Sequence, residues 1–326
     1  MSLLQAWLRW RAPAGPSAPL SVLIFHRVVP VSDPMSPFEV DAVQFDRLCA
    51  WLVSWFNVLP LDEAVGLMAQ GRLPERAAAI TFDDGYADNH DVALPILQRH
   101  DLTATFFVAT GFLDGGRMWN DTIIESLRRT PHTALDLGQL LPQGGPVVPL
   151  HDQAARRDAV GVVIAQLKYL PPQQRLAMVD RLAQLLQATL PDDLMMRSEQ
   201  VRRLHASGMQ VGAHTVDHPI LTGLSADSLR DQVLGSRQAL EGLLGARVGL
   251  FAYPNGKPDT DYDAAAVALV RELGFDAAFT TVAGVSRQGH DRFQLPRFTP
   301  WERDRLRFGW RMAQNLARAP VAGVLA

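Results

Sequence analysis

Residues 77–85 read Ala-Ala-Ala-Ile-Thr-Phe-Asp-Asp-Gly, a short apolar run that ends abruptly on two carboxylates and a glycine. Such a run, stopped by a turn signal, predicts a buried strand over 77–82. In parallel α/β folds the C-terminal ends of strands carry the reactive groups. Gly85 supplies the turn that lets both acids stay near the strand end. An ordinary strand-to-helix turn with one aspartate as N-cap would explain one of these acids but not two.

The same grammar repeats on either side. Apolar runs predict strands at 21–26 (SVLIFH), 103–110 (TATFFVAT), 209–214 (MQVGAH), 250–253 and 277–281. Helical spacing predicts helices at 45–56, 62–70, 92–99, 198–206 with Ser198 as N-cap, 225–244 and 263–273. Strands alternating with helices call for a parallel sheet, open or closed into a barrel. The alternation breaks between about 112 and 195. There a helix at 120–129, two short runs within 133–150 that can pair as a hairpin, and amphipathic helices at 153–169 and 173–189 predict a mostly helical insertion. The expected organisation is an N-terminal lead at 1–20, a barrel at 21–300 holding that insertion, and a basic C-terminal helix and tail at 301–326.

Composition narrows the chemistry. The chain has 326 residues, 48% hydrophobic and 20% charged, with a formal net charge of −3. It is therefore globular rather than disordered, and its mixed charges argue against nucleic-acid binding. No run approaches the roughly 20 apolar residues that a membrane helix needs. The single cysteine, Cys49, excludes an internal disulfide and any cysteine-rich metal site. A metal would have to be held by histidines and carboxylates.

A second strand end offers them. His214-Thr215-Val216-Asp217-His218 follows the run at 209–214, and Pro219 ends the segment. Two imidazoles four apart converge on one ion if the segment makes a single helical turn. Alone the spacing is weak; beside Asp83-Asp84 it predicts a site of two histidines and one aspartate with open positions, the layout of a catalytic zinc. A third strand end, Phe251-Ala252-Tyr253-Pro254-Asn255-Gly256, predicts a tight turn whose N–H groups could face an anion.

The Thr-Phe-Asp-Asp-Gly, His-Thr-x-x-His and Phe-Ala-Tyr-Pro-x-Gly segments together resemble the motifs of the polysaccharide deacetylase family, carbohydrate esterase family 4. The resemblance covers roughly residues 20–115 and 195–300. The early Ile-Phe-His-Arg-Val run is similar to that of bacterial exopolysaccharide-associated members. The resemblance implies a distorted (β/α) barrel and metal-dependent removal of acetyl from an N-acetylated sugar. By the matching positions, Asp83 is the general base, Asp84, His214 and His218 are the metal ligands, and the Asn255 backbone N–H helps hold the oxyanion. His26, Trp119, Asp121, Tyr253 and Arg297 are the further candidates for substrate contact or support of the site.

Two positions depart from the family pattern. Many members carry an arginine in the third motif that pairs with the catalytic aspartate; here that position is Ala252. The late Leu-x-His motif that supplies the general acid reads Leu295-Pro296-Arg297, and arginine does not give up a proton near neutral pH. His26 and His290 are the substitutes on offer. The departures keep two alternatives open, a hydrolase of another C–N bond such as a small cyclic amide, and a catalytically silent glycan-binding protein.

The first residues show no basic stretch, apolar core and small-residue cleavage site of an export signal, so the expectation is a cytoplasmic protein. Leu3, Leu4, Trp7 and Leu8 share one helical side; packing on the chain's own domain is the preferred reading, and the inner membrane face the alternative. The stretch Trp301, Arg303, Arg305, Arg307, Trp310, Arg311 is a solvated helix face or a contact for anionic lipid or a lipid-linked glycan.

Overall fold

Seven parallel strands form the centre of the structure, a computed structural model that describes residues 3–300, 302–318 and 323–324. Trp301 and the ends of the lead and tail lie outside the described residues. In chain order the strands are β1 (Ser21–Phe25), β2 (Asn57–Val58), β3 (Ala77–Phe82), β4 (Thr105–Val108), β5 (Gln210–Ala213), β6 (Leu250–Ala252) and β7 (Ala277–Phe279). Side by side they run β1-β3-β4-β5-β6-β7, with β2 against the start of β3.

One extended segment, residues 295–298, joins the two outer strands. Leu295 N–H donates to Ala278 at 2.9 Å and Thr280 N–H donates to Leu295 at 2.9 Å on the β7 side. Phe298 N–H donates to Val22 at 2.7 Å and Ile24 N–H donates to Phe298 at 3.0 Å on the β1 side. The sheet is thereby closed, and the distorted (β/α) barrel implied by the alternation and the resemblance is what forms.

Period-2 alternation then sorts the strand residues into two cores. Val22, Ala77, Ala79, Phe107, Ala252, Phe279 and Leu295 cluster inside the barrel, joined by the apolar face of α3 (Leu61–Ala69). Leu23, Phe25, Ile80, Phe82, Phe106 and Phe251 point outward into the layer beneath the surrounding helices. The first of those helices, α1 (Leu3–Arg11), buries Leu8 there and leaves Trp10 exposed. In α2 (Ala42–Trp55), Phe45 meets Phe82 edge-on at 5.6 Å.

Helix boundaries fall within a few residues of the sequence reading, and two of the starts have an identifiable cause. A π-helical turn at Asn89–Ala93 precedes α4 (Leu94–Arg99), so that helical stretch starts earlier than expected. Ser198 is the first residue of its helix rather than the cap; its N–H and Oγ both donate to Asp114, at 2.8 and 2.6 Å. In the insertion, α5 (Trp119–Arg129), α6 (Gln153–Leu167) and α7 (Pro172–Leu185) pack around an apolar core that includes Ile123, Leu127, Val163, Leu167 and Leu182. The expected hairpin is present as Ala134–Asp136 against Val147–Pro149. The helices α8 (Ser198–Ala206), α9 (Ala226–Leu244) and α10 (Ala264–Glu272) complete the wrap before α11 (Arg305–Leu316). No described helix is long and apolar enough to cross a membrane.

Phe82 is fully buried, stacked on Phe106 at 4.8 Å and on Phe25 at 5.4 Å. Phe82→Ala is expected to cost about 3–5 kcal/mol of stability, read from urea unfolding. A loss below about 1 kcal/mol would contradict this packing.

Candidate active site

Three strand ends deliver the candidate residues to one mouth of the barrel. Asp83 follows β3 on the inward side and is 2% exposed. The chain then turns at Asp84 itself, whose φ is +76°, followed by Gly85 at +92°. This places the Asp84 carboxylate at the floor of a cleft. A Cβ at Gly85 would come 3.1 Å from Val108 Cγ1, so glycine serves both conformation and space.

The two histidines converge, but not through a helical turn. Thr215 and His218 have φ of +66° and +50°, and the segment is a loop. Thr215 Oγ1 holds it, donating to His214 O and accepting from His218 N–H at 3.1 Å. Both Nε2 atoms end 3.4 Å from Asp84 Oδ1. One ligand atom each from Asp84, His214 and His218 lies within 4.8 Å of the others.

That trio fits a divalent metal on its own chemistry. His214 Nδ1–H donates to the Ala252 carbonyl at 2.7 Å, which fixes the tautomer and leaves the Nε2 lone pair facing Asp84. Asp84 Oδ1 is buried and has no hydrogen-bond partner among the described residues. A buried carboxylate oxygen without a donor is costly unless something else satisfies it. Burial opposes the ionised form of Asp84, yet the neighbouring histidines hold its carboxyl well below the usual range. Burial pushes His218 down to about 4, which favours the neutral imidazole that a metal site requires. Burial also opposes charge on His214, but Asp83 and Asp84 raise its pKa on balance.

Beside the trio lies a buried ion pair. Arg297 Nη1 and Nη2 donate to the two Asp83 oxygens, each at 2.6 Å. The guanidinium is fully buried, donates through Nε to Thr280 O at 2.9 Å, and lies 5.4 Å from the Phe107 ring centroid. Burial would raise the Asp83 pKa; Arg297 and then His214 outweigh it and hold the carboxylate ionised. The two departures in the sequence thus meet in space. The arginine absent at Ala252 is supplied by Arg297, because the closing segment carries that side chain into the barrel.

The other candidates separate. His26 lines a lobe of about 350 Å³ together with Asp84, Tyr86, Asn120 and Thr281. His290 does not share it; its neighbour segment pairs Ser286 with Leu20, at the opposite end of β1. Trp119 and Asn255 line a second lobe of about 220 Å³ with Asp84, His218, Lys168 and Arg175. One expectation is corrected, and for Asp121 the supporting role is the one observed. Tyr253 is fully buried, stacked on Tyr262 at 4.1 Å with its hydroxyl donating to Phe293 O, and faces away from the cleft. Asp121 sits behind Tyr86, whose hydroxyl donates to it at 3.1 Å, and burial pushes its carboxyl up to about 7. It supports the wall rather than contacting a ligand.

Sequence reasoning missed Glu39, Tyr86, Ile164, Lys168, Arg175 and Thr281, all of which line the cleft. Lys168 and Arg175 flank Pro171-Pro172, a visible turn signal, but no local pattern says that this turn overlooks the barrel mouth.

The family model for polysaccharide deacetylases matches residues 70–135 and 174–278. The chain belongs to the polysaccharide deacetylase family, and with it to the metal-dependent hydrolases that remove N-acetyl groups from carbohydrates. It is similar to the Bacillus subtilis protein YxkH, at 19% identity over 294 residues, covering 90% of this chain and 74% of that one. A shorter stretch of 75 residues is 33% identical to the poly-beta-1,6-N-acetyl-D-glucosamine N-deacetylase of Staphylococcus aureus, covering 23% of this chain and 26% of that protein. Its fold is shared with the Streptococcus pyogenes deacetylase PplD (TM-score 0.60, 17% identity, 92% of this chain and 99% of that one). IcaB from Ammonifex degensii gives TM-score 0.60 at 20% identity, covering 94% and 99%.

Removing Arg297 would leave Asp83 buried and unpaired. Arg297→Met is expected to cost about 3–5 kcal/mol in denaturant unfolding. Adding Asp83→Asn should recover much of that loss, since the two side chains form one interaction. Additive losses in the double variant would contradict the pairing.

Proposed function

We propose that the protein deacetylates N-acetylhexosamine units of an extended glycan or glycan precursor. Asp84, His214 and His218 hold a zinc-class ion, and Asp83 is the general base. The observation that carries this reading is the meeting of that ligand trio with the Arg297-clamped Asp83 at the floor of one cleft. The two lobes share Asp84 and Asn120, so the cleft runs past the trio on both sides. That shape supports a ligand longer than one sugar.

An ion held by these three residues would supply Lewis acidity toward water and the acetyl carbonyl. Asp83, kept ionised and oriented by Arg297, takes the proton of the attacking water. The Asn255 N–H meets no acceptor among the described residues, lines the smaller lobe, and would donate to the oxyanion as the carbonyl carbon becomes tetrahedral. The C–N bond then breaks, and His26 protonates the departing nitrogen. Support for His26 over His290 comes from its place in the lobe that contains Asp84. Acetate and the free amino sugar result.

The reading extends to location. A peripheral contact with a membrane surface is supported by the exposed Leu306 and Trp310 on α11, beside Arg307.

With zinc-loaded protein, Asp83→Asn is expected to lower acetate release by about 10²–10⁴-fold while metal content stays near one per chain. Asp84→Asn or His214→Ala should lose metal and activity together, as should treatment with a chelator. Full activity in the metal-free protein would overturn the reading.

A further inference from the structure

The described residues contain two buried arginines, and their surroundings differ sharply. Arg297 is clamped on a carboxylate. Arg175 is 8% exposed, has no acidic partner among the described residues, and its Nε meets no acceptor. Its Nη1 donates to Lys168 O at 3.0 Å, and its guanidinium carbon lies 4.8 Å from the Trp119 ring centroid. Burial pulls its pKa down. Lys168, just past the end of the preceding helix, has its ammonium 5.6 Å from the Tyr169 ring centroid and likewise no acidic partner among the described residues.

Both cations line the 220 Å³ lobe that contains Asp84, His218 and Asn255. A buried cation without an anion is unfavourable, and proteins ordinarily pair such groups. Trp119 recovers part of the deficit through its π face but supplies no charge. The guanidinium fork and the ammonium are the chemistry that receives an oxyanion, whether carboxylate or phosphate.

We propose that the substrate carries an oxyanion next to the N-acetylhexosamine being deacetylated, and that Arg175 and Lys168 receive it. The proposal rests on the deacetylase reading above. It makes the insertion the selector: α6 and α7 meet at Pro171-Pro172, and the residues around that turn present both cations to the cleft.

The test compares acetate release by zinc-loaded protein from three probes. One is a neutral chitotetraose bearing N-acetyl groups. The second is an oligosaccharide alternating N-acetylglucosamine with glucuronate, and the third is N-acetylglucosamine 1-phosphate. The expected result is kcat/KM at least tenfold higher on one anionic probe than on the neutral one; which one identifies the source of the charge. Arg175→Met and Lys168→Met should each bring that ratio toward one, and Arg175→Lys should keep part of it. A preference for the neutral probe, or a ratio that neither variant changes, would overturn the proposal.

Calorimetric titration of Asp83→Asn with the same probes separates this inference from the reaction itself. Tenfold tighter binding of an anionic probe, lost on adding Lys168→Met, supports the anion site even if no probe releases acetate. In that case the deacetylase reading alone would fail. Equal binding of neutral and anionic probes would overturn the anion site. Lys168 is only half-buried, so its variant decides the matter should Arg175→Met not fold.

Discussion

The Arg297–Asp83 pair is the constraint on which the rest of the site depends. It lies between two buried side chains, with both carboxylate oxygens engaged at 2.6 Å. In a low-dielectric interior such a pair is stable only with good geometry and with the remaining donors satisfied. Here Thr280 O, Thr81 Oγ1 and the Phe107 ring meet those conditions. Because Arg297 belongs to the segment that bridges β7 and β1, closing the barrel and orienting the proposed base are one event. A chain that failed to close would leave two unpaired charges in its core.

A second constraint is local and covers the three strand ends. Asp84, Thr215, His218 and Asn255 all hold left-handed backbone without being glycine. Each such residue costs of order 1–3 kcal/mol, least for asparagine and aspartate, and persists only where its surroundings fix it. The surroundings do so: Thr215 Oγ1 ties its own loop, and Thr281 Oγ1 donates to Asn255 O. Strain therefore gathers where side chains must converge on one point. On the proposed reading the barrel supplies the chemistry from these turns. The insertion, whose core draws on the rest of the chain through Met35, supplies the wall that meets the substrate.

Much of this was legible in sequence because it is local. The run at 77–85 marks a buried strand with acids at its end, and the observed β3 spans the expected residues. The resemblance of three short motifs then named the family and barrel. What misled was also local. The His-x-x-x-His spacing suggested a helical turn, whereas Thr215 bonds select a loop that reaches the same convergence. Tyr253 reads as part of a site motif, yet alternation turns it away from the mouth into the packing around Tyr262.

The sequence by itself determined the strands, the helices and the residue types gathered at each strand end. These depend on apolar periodicity and turn chemistry over a few neighbouring positions. Only the tertiary structure decided which charges are paired. Ala252 and Leu295-Pro296-Arg297 read as two separate losses along the chain, but Arg297 and Asp83 stand 214 positions apart and meet in the barrel. The same holds for Arg175 and Lys168, whose lack of an acidic partner among the described residues is a property of the folded cleft. Ion pairing depends on distance in space and on burial, and neither is written in the order of residues.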